Sequence, residues 1–362
     1  MTGIGVVGVG VIFGQYRDTL ARVDGVDIVA VADLDPQRAA DAAATIPGCR
    51  AVAPDELWDV AGVDVVLNLT IPAAHAEVAL RSIAHGRAVY GEKPLAATFE
   101  AARTVVEAGS AAGLDLGCAP DTVLGTGVQT ARRAVAEGRI GAPVSATATF
   151  ISAGHESWHP HPDFYYRPGG GPVFDMGPYY LTSLIHLLGP VAWVQAAASR
   201  AHATRTIGSG PRAGEQIPVE VDTHVTAILG HASGALSHAT FSFDAVATRA
   251  AHIEVHGTEG VLVVPDPNGF AGPVVLLRSA EDAEELPVSA GYEDAGRGVG
   301  LADFAAGHRR ASAQMALHVL EVMTAMTSGE PGRVEIRTPV AVPSIVPLTP
   351  AARWRGSGHA AR

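Results

Sequence analysis

Residues 1–120 alternate short apolar runs with helical segments, and this alternation constrains the fold more than any other feature of the chain. Each apolar run has the length of a strand, and each intervening segment has the length and composition of a helix. Because neighbouring parallel strands need a long crossover, usually a helix, the pattern is typical of a doubly wound parallel sheet. The predicted strands are Ile4–Val7, Asp27–Ala32, Val63–Leu69, Ala88–Tyr90 and Leu114–Cys118.

The pattern changes after the fifth predicted strand. Farther along the chain, period-two alternation of apolar and polar residues dominates, which indicates a mainly antiparallel sheet. Two helices, Asp175–Leu188 and Ala311–Thr327, accompany this sheet, whereas Thr204–Pro218, rich in glycine, proline and charge, is predicted to be mobile surface. We therefore predict two domains, formed by residues 1–122 and 123–362.

The composition argues against several classes of protein. Hydrophobic residues make up 48% of the chain and charged residues 17%, a balance typical of globular proteins. The net charge of −12, without runs of Lys or Arg, argues against a nucleic-acid or anionic-membrane partner. Cys49 and Cys118 lie far apart and in no metal-ligand spacing, and no apolar stretch reaches membrane-spanning length. We therefore expect a soluble, cytoplasmic protein with reduced cysteines.

A glycine-rich turn follows the first predicted strand and precedes a predicted helix. Gly8 allows the tight turn, and Gly10 lets the backbone approach a pyrophosphate. Val11 and Ile12 then lead into the helix, whose N-terminus attracts phosphate. The third glycine of the usual motif is replaced by Phe13, so an ordinary strand-to-helix turn remains an alternative.

The end of the second predicted strand favours the dinucleotide interpretation. Asp33 lies 23 residues after Gly10, where a carboxylate accepts hydrogen bonds from the adenosine ribose. A 2′-phosphate would meet like charge there, so we expect NAD rather than NADP. Leu34 and Arg38 complete the candidate cofactor residues of this segment, although Arg38, one helical turn along, is a weak counter-indication to NAD. Asp35 is placed as the cap of the following helix.

Three further motifs carry a family resemblance. The first is Thr70-Ile71-Pro72 followed by His75, the second is Glu92-Lys93-Pro94, and the third is the triple glycine 169–171 followed by Asp175, Gly177 and Tyr179. With the glycine turn and Asp33 they stand in the order found in one family. The chain resembles the Gfo/Idh/MocA oxidoreductases, the relatives of glucose-fructose oxidoreductase and inositol dehydrogenase, over roughly residues 3–340.

The resemblance implies a fold, an assembly and a set of cofactor residues. The fold is an α/β Rossmann domain followed by an α+β domain with an open-faced, mainly antiparallel mixed sheet. The exposed face of that sheet pairs subunits into a homodimer or homotetramer. Beyond the glycine turn and Asp33, the resemblance assigns cofactor binding to Thr70, Ile71, Pro72, His75, Glu92 and Lys93.

The resemblance also implies catalytic roles. Lys93 follows a strand of the parallel sheet, where ligands of such sheets bind, and its ammonium would stabilise alkoxide charge. Asp175 and Tyr179 share one face of the predicted helix with Thr182 and His186. Relatives usually carry a histidine as catalytic base where Tyr179 stands. We expect Tyr179 to take the hydroxyl proton, Lys93 to lower its pKa, and Asp175 to orient the substrate, while His186 is structural.

The segment Gly154–Pro168 concentrates histidines and aromatic residues. We expect an aromatic, hydrogen-bonding wall for a sugar ring, with a plain surface loop as the alternative. Three histidines and a glutamate could suggest a metal, but their spacing fits no standard zinc pattern, so no metal is expected. The candidate substrate-binding residues are Lys93, Asp121, His155, Trp158, Tyr165, Arg167, Asp175 and Tyr179.

The expected reaction is hydride transfer between nicotinamide and a hydroxyl or carbonyl carbon of a sugar, inositol, glycoside or related cyclic polyol. This substrate class is expected because the candidate site offers many polar groups and few fixed charges. Two alternatives remain open at this point. One is NAD-assisted glycosidase or lyase chemistry through transient oxidation and elimination. The other is a non-catalytic sensor of sugar or NAD, which the presence of Lys93 and Tyr179 disfavours.

Overall fold

The computed structural model describes residues 1–279 and 281–354, so residue 280 and residues 355–362 of the predicted second domain lie outside the described part. The strands are β1 (Thr2–Val7), β2 (Val26–Ala32), β3 (Arg50–Val52), β4 (Val65–Asn68), β5 (Ala88–Gly91), β6 (Leu116–Cys118), β7 (Pro143–Ile151), β8 (Val191–Ser199), β9 (Thr204–Thr206), β10 (Gln216–Pro218), β11 (His224–His231), β12 (Leu236–Ser242), β13 (Ile253–Gly257), β14 (Val261–Val264), β15 (Val275–Leu277), β16 (Ala283–Glu285) and β17 (Val334–Glu335). The helices are α1 (Phe13–Leu20), α2 (Pro36–Ala44), α3 (Pro72–Ala84), α4 (Phe99–Ala112), α5 (Thr126–Ala136), α6 (Gly171–Leu188), α7 (Val299–Ala305), α8 (Ala313–Met326) and α9 (Ala351–Trp354).

The chain divides into two compact units, and the first contains a parallel sheet. Its strands pair in the order β3-β2-β1-β4-β5-β6, and each of these pairs is parallel. The central strands β1 and β4 are buried along almost their whole length, as a sheet covered on both faces requires. This arrangement confirms the Rossmann sheet predicted from the alternation of strands and helices.

Helix ends in the first unit follow local capping chemistry. The Asp35 carboxylate accepts hydrogen bonds from the N–H groups of Gln37 and Arg38 at the start of α2, which confirms the predicted cap. The Thr98 hydroxyl caps α4 in the same way, and Gly113 ends that helix with a φ of 66°. These signals lie within one helical turn of the ends they determine, so they are readable from the sequence.

The first unit is not one continuous stretch of chain. Two later segments also belong to it, residues 289–317 and the described residues from Ser344 onward. Isolated β-bridges, such as that between Gly117 and Ser312, pair them with earlier parts of the unit. The predicted bounds, 1–122 and 123–362, differ from the compact units because the return of a chain to an earlier unit leaves no local signal in the sequence. The first unit comprises residues 1–126, residues 289–317 and the described residues from Ser344 onward; the second comprises residues 127–288 and 318–343.

The second unit contains a nine-stranded sheet in the order β16-β15-β14-β13-β7-β12-β11-β8-β17. Among the described strands of this sheet, β7 and β12 pair in parallel and the other pairs are antiparallel. Helix α6 packs on β7, β11 and β12 and buries one face of them. The other face carries exposed apolar side chains such as Ile228 and Leu236. The predicted open-faced, mainly antiparallel mixed sheet is confirmed.

Helix α6 begins one turn before the predicted start at Asp175. It starts at Gly171 because Pro172 occupies the first turn, where a helix needs no N–H donor and a φ near that of proline is already favourable. The helix is buried along most of its length. Neither α6 nor any other helix of the described residues is long and apolar enough to cross a membrane.

The prediction of mobile surface at Thr204–Pro218 is wrong. Strands β9 and β10 form an antiparallel hairpin there, and the Arg205 side chain is buried. Glycine, proline and charge are typical of surface loops, but a charged side chain is accommodated in the interior when carboxylates pair with it. The pairing partners of Arg205 are described with the site below.

Candidate active site

The turn between β1 and α1 depends on one glycine. Gly8 has a φ of +88°, and a Cβ atom built on it would lie 2.9 Å from the carbonyl carbon and oxygen of Leu69. Only glycine fits this close approach between β1 and the chain that follows β4. A Cβ built on Gly10, by contrast, would have no described atom beyond its chain neighbours within 4 Å. The open space at Gly10, just before α1, fits a pyrophosphate.

The Asp33 side chain, just after β2, forms a hydrogen bond with the backbone of this turn. Its Oδ2 accepts a hydrogen bond from the Val9 N–H at 2.9 Å, and its Oδ1 accepts one from the Asp35 N–H at 3.0 Å. Arg38, the side chain that would favour a phosphate, lies 3.3 Å from the Asp33 carboxylate and 3.7 Å from that of Asp35. Each carboxylate oxygen has two lone pairs, so Asp33 retains capacity for ribose hydroxyls.

Three exposed apolar side chains border the same edge of the sheet. Val11, Leu34 and Ile71 follow β1, β2 and β4 respectively, and all three are exposed. The carboxyl ends of parallel strands lie at one edge of their sheet, which is where ligands of doubly wound sheets bind. Exposed apolar surface beside a glycine turn suits the flat rings of a dinucleotide.

His75 links the chain after β4 to the Glu-Lys-Pro turn. Its ring is buried, with Nδ1 2.6 Å from the Pro94 carbonyl oxygen and Nε2 3.0 Å from the Thr70 carbonyl oxygen. Asn68, which sequence reasoning did not single out, donates to the His75 carbonyl oxygen at 3.0 Å and accepts from the Thr70 hydroxyl at 2.7 Å. The His75 imidazole therefore contacts the backbone of both segments. The cofactor contacts of His75 and Pro72 stay predictions.

The Glu92 carboxylate is held from two sides. Its Oε1 accepts a hydrogen bond from the Tyr16 hydroxyl at 2.7 Å, and its Oε2 accepts one from the Lys93 N–H at 3.0 Å. Tyr16 belongs to α1 and is fully buried; burial, followed by the charge of Glu92, raises the pKa of its phenol well above the usual range. The phenol therefore stays a donor. No sequence motif pointed to Tyr16, because its partner is 76 residues away.

Lys93 is the only lysine in the sequence, which otherwise uses arginine for its cationic side chains. It follows β5, and the preceding Glu92 N–H donates to the Asn68 carbonyl oxygen at 2.9 Å, which ties the turn to β4. An ammonium is a compact charge whose pKa shifts readily, whereas a guanidinium remains charged, so lysine suits proton chemistry where arginine does not. The placement of the only lysine at this turn favours a chemical role for Lys93.

Asp121 occupies a structural position in the first unit. Its side chain is 0% exposed, and its Oδ2 accepts hydrogen bonds from the N–H groups of Gly298 at 2.7 Å and Gly300 at 3.1 Å. Burial raises the pKa of Asp121 to about 6, although Arg297 and the two N–H groups act in the opposite direction. The carboxylate holds the segment that returns to the first unit, so this placement does not support the predicted contact with substrate.

In the second unit, Asp175 and His155 form a pair. The Nε2 atom of His155 lies 2.8 Å from Oδ2 of Asp175, and the two side chains are 13% and 17% exposed. Asp175 lies in the second turn of α6, and His155 lies on the segment that follows β7. The structure thus brings together two predicted substrate-binding residues that are 20 positions apart in the sequence.

Tyr179 and Tyr180 occupy different surroundings. The Tyr180 hydroxyl lies 2.7 Å from Nδ1 of His252, and its ring packs edge-on against Phe150 and Phe241. Burial, followed by a nearby carboxylate, raises the pKa of Tyr180 above the usual range. These are the surroundings of a packing residue. Tyr179 is buried one turn after the paired Asp on α6, and its catalytic role stays a prediction.

Thr182 and His186 complete the polar face of α6, and both are buried. Burial lowers the pKa of His186 to about 3, and Arg132, whose Nη1 lies 3.5 Å from its Nδ1, lowers it further. The imidazole is therefore neutral over the physiological range. A neutral ring enclosed in this way agrees with the structural role expected for His186.

Aromatic rings surround His155. Its ring centroid lies 4.3 Å from that of Tyr165, 4.7 Å from that of Phe243 and 5.3 Å from that of Trp158. Trp158 is 59% exposed, and Arg167 is exposed and lies 4.0 Å from a carboxylate of the same segment. Although this segment is rich in histidine, no group of three or more His, Cys, Asp or Glu among the described residues could hold a metal ion.

A buried ion network holds the segment that carries His155. Arg205 of β9 donates to Oε1 of Glu156 at 2.9 Å and pairs with Asp244. The Tyr166 hydroxyl donates to the other oxygen of Glu156, and the Phe243 carbonyl oxygen accepts from Arg205 at 2.9 Å. Sequence reasoning missed Arg205 because its partners are 49 and 39 residues away.

Two family models match the chain. The model described as an oxidoreductase family with an NAD-binding Rossmann fold matches residues 2–117, and the model of the GFO/IDH/MocA C-terminal domain matches residues 128–263. The first match covers the parallel sheet with its glycine turn and the Glu-Lys-Pro turn. NAD is therefore the cofactor of this sheet, and the open space at Gly10 fits its pyrophosphate.

Curated relatives agree with this assignment. The 1,5-anhydro-D-fructose reductase of Ensifer adhaerens is 29% identical over 299 residues, which are 78% of this chain and 82% of the relative. The inositol 2-dehydrogenase of Burkholderia cenocepacia is 35% identical over 150 residues, which are 39% of this chain and 43% of the relative. The match to the inositol dehydrogenase spans less than half of its length.

Solved structures show the same fold. An NAD-binding oxidoreductase from Klebsiella pneumoniae has a TM-score of 0.79 at 24% identity, over 93% of this chain and 100% of that one. A levoglucosan dehydrogenase in complex with NADH and L-sorbose has a TM-score of 0.76 at 19% identity, over 93% of this chain and 99% of that one. The glycine turn, the Glu-Lys-Pro turn and the matches to both domains lead to one assignment: this chain is an enzyme of the Gfo/Idh/MocA family of NAD-binding oxidoreductases.

Proposed function

We propose that this enzyme transfers a hydride between NAD and a hydroxyl or carbonyl carbon of a sugar, inositol, glycoside or related cyclic polyol. The observation that carries the proposal is the placement of the only lysine, Lys93, on a turn of the NAD-binding unit where Glu92 is held by Tyr16. The relatives named 1,5-anhydro-D-fructose reductase and inositol 2-dehydrogenase support a sugar or cyclic polyol as substrate.

In this proposal each catalytic side chain has one task. NAD, when bound, accepts or delivers the hydride. During oxidation, Tyr179 removes the hydroxyl proton, the Lys93 ammonium stabilises the alkoxide charge, and Asp175 orients the substrate. Trp158 and Tyr165 offer aromatic faces for a sugar ring. Arg167 supplies hydrogen-bond donors for its hydroxyls, and His155, whose Nε2 faces Asp175, offers Nδ1 as an acceptor.

The cofactor residues divide among three parts of the dinucleotide. Gly8, Gly10, Val11 and Ile12 at the start of α1 would hold the pyrophosphate. Asp33 and Leu34 would bind the adenosine, and the Thr70–His75 segment and the Glu-Lys-Pro turn would bind the nicotinamide. The open space at Gly10 and the exposed apolar side chains near it support this division.

A preference for NAD over NADP belongs to the proposal. The Asp33 carboxylate would repel a 2′-phosphate, and Arg38 is paired with Asp33 and Asp35. Replacing Asp33 with Ser and Leu34 with Arg should move the preference toward NADP. A fluorescence titration that finds tighter binding of NADP than NAD to the unaltered protein would contradict this role of Asp33.

The proposal is tested by screening polyols, sugars and cyclic diols for NADH absorbance. At least one member should reduce NAD, and Lys93→Met should lower kcat by at least ~10²-fold with nearly unchanged NAD affinity. A panel without any NADH production would overturn the proposed reaction. A substrate that is cleaved without net NADH would instead indicate transient oxidation followed by elimination. Near-normal turnover of Lys93→Met would remove Lys93 from the mechanism.

We also propose that the protein forms a homodimer or homotetramer through the open face of its mixed sheet. The exposed Ile228 and Leu236 side chains on this face support the proposal, since exposed apolar surface marks interfaces. Mass measurement of Ile228→Glu in solution should give a smaller species than the unaltered protein. Because NAD and sugars are available there, we propose that the enzyme works in the cytoplasm.

A further inference from the structure

The Asp175–His155 pair has a defined arrangement of protons. A carboxylate that is ionised only accepts hydrogen bonds, so the 2.8 Å contact requires the proton of His155 to lie on Nε2. In the neutral ring this leaves Nδ1 as the atom with a free lone pair. Nδ1 is therefore the ring atom that can accept a proton, while Nε2 stays with Asp175.

The orientation of His155 is fixed before any substrate binds. Its ring is enclosed by Tyr165, Trp158 and Phe243, and the next residue, Glu156, is held by Arg205. A buried ion pair of this kind keeps a segment in one arrangement. The imidazole and its carboxylate partner therefore need little reorganisation when charge moves between them.

We propose that His155 is the proton-relay residue of this site, a role that rests on the proposed function and extends it. Tyr179 lies one turn after Asp175, the partner of His155, and shares its face of α6. The phenolate oxygen of Tyr179 takes the hydroxyl proton, and the hydride leaves the carbinol carbon for NAD with both bonding electrons, which forms the carbonyl. The phenolic proton then passes to Nδ1 of His155 and from there to water, so that Tyr179 is again a phenolate.

A relay is needed because a phenol releases its proton poorly. The ordinary pKa of tyrosine is about 10, so regeneration of the phenolate near neutral pH requires an acceptor close by. The other titratable groups that face the His155 ring are Tyr165 and His159, and burial, followed by His155, lowers the pKa of His159. His159 is therefore a weaker proton acceptor than a free imidazole.

The test compares His155→Gln with a matched variant at a second His–carboxylate contact. His256 lies 3.8 Å from Glu254 on the mixed sheet, and His256→Gln is the control. With NAD and the most active polyol of the screen, His155→Gln should lower kcat by about 10²-fold near neutral pH, and added imidazole should restore part of the loss. The pH profile should lose one ionisation, and the solvent deuterium isotope effect should increase. The control should keep the unaltered profile.

The outcomes separate a relay from a structural contact. A merely structural role would change thermal stability or KM but would move neither the pH profile nor the isotope effect, and imidazole would not restore it. An active enzyme whose His155→Gln variant keeps the original kcat and pH profile would overturn the relay alone. Asp175→Asn, which keeps the side-chain shape, should reproduce the altered pH profile of His155→Gln. An unaltered pH profile in Asp175→Asn would also overturn the relay. An unaltered protein that oxidises no polyol would overturn the proposed function instead.

Discussion

The two compact units hold their functional side chains by different means. In the first unit the cofactor edge is formed mainly by a tight glycine turn, in which Gly8 lies against the Leu69 carbonyl and the Val9 N–H donates to the Asp33 carboxylate. In the second unit the segment that carries His155 is held by charged side chains, because Arg205 pairs with both Glu156 and Asp244. A backbone arrangement survives most side-chain changes, whereas a buried ion network fails when one member is lost.

The largest effect should come from breaking the ion network. Arg205→Met leaves two buried carboxylates without their cation, which should lower the free energy of unfolding by about 3–5 kcal/mol. Urea unfolding followed by circular dichroism measures it, and NAD binding should persist. The control is Arg212→Met, whose partners Asp163 and Glu215 hold it at the surface, so stability should barely change. Equal stability losses in the two variants would contradict the contrast between buried and exposed pairs.

A smaller loss of stability is expected at the glycine turn. Gly8→Ala forces a side chain into a left-handed conformation, at a cost of about 1–3 kcal/mol before the close contact with Leu69 is counted. NAD affinity should fall with it. Gly10→Ala should leave unfolding unchanged and weaken only NAD binding, because its Cβ enters the space proposed for the pyrophosphate. Calorimetric titration with NAD and thermal unfolding of both variants would separate the two glycines; an unstable Gly10→Ala would refute the distinction.

The buried Asp121 should make the stability of the first unit depend on pH. Its pKa is raised to about 6 in the folded protein. The folded chain therefore binds the proton more tightly than the unfolded chain, in which the pKa is about 3.9. The contribution of Asp121 is most favourable below the unfolded pKa and is lost as pH rises through about 6.

Asp121→Asn removes this titration while keeping an oxygen for the N–H groups of Gly298 and Gly300. Urea midpoints of the variant should fall less between acidic and neutral pH than those of the unaltered protein. Parallel pH curves for the two proteins would show that Asp121 is not the group responsible.

The smallest effect should come from the exposed Trp158 on the segment that carries His155. Trp158→Ala removes an aromatic surface without disturbing the ion network, so KM for the polyol should rise about threefold to tenfold with kcat nearly unchanged. NAD affinity should stay the same, since no part of the first unit is altered. An unchanged KM would make this indole an ordinary surface residue.

An element was predictable when the residues that determine it lie close together in the sequence. The cap at Asp35, the helix end at Gly113 and the glycine turn are determined within a few residues, and all three were predictable. The hydrogen bond from Tyr16 to Glu92 joins residues 76 positions apart, and Arg205 meets Glu156 across 49 positions. Composition and periodicity carry no information on such pairs.

By itself the sequence determined the order of strands and helices, the glycine turn and the NAD class of the cofactor, because these depend on backbone geometry and charge over short stretches of chain. It also singled out Lys93 and Asp175. Only the tertiary structure decided that His155 pairs with Asp175, that Arg205 is buried and that Asp121 holds a returning segment. Burial and long-range pairing arise when elements pack, and packing brings together residues that no local pattern connects.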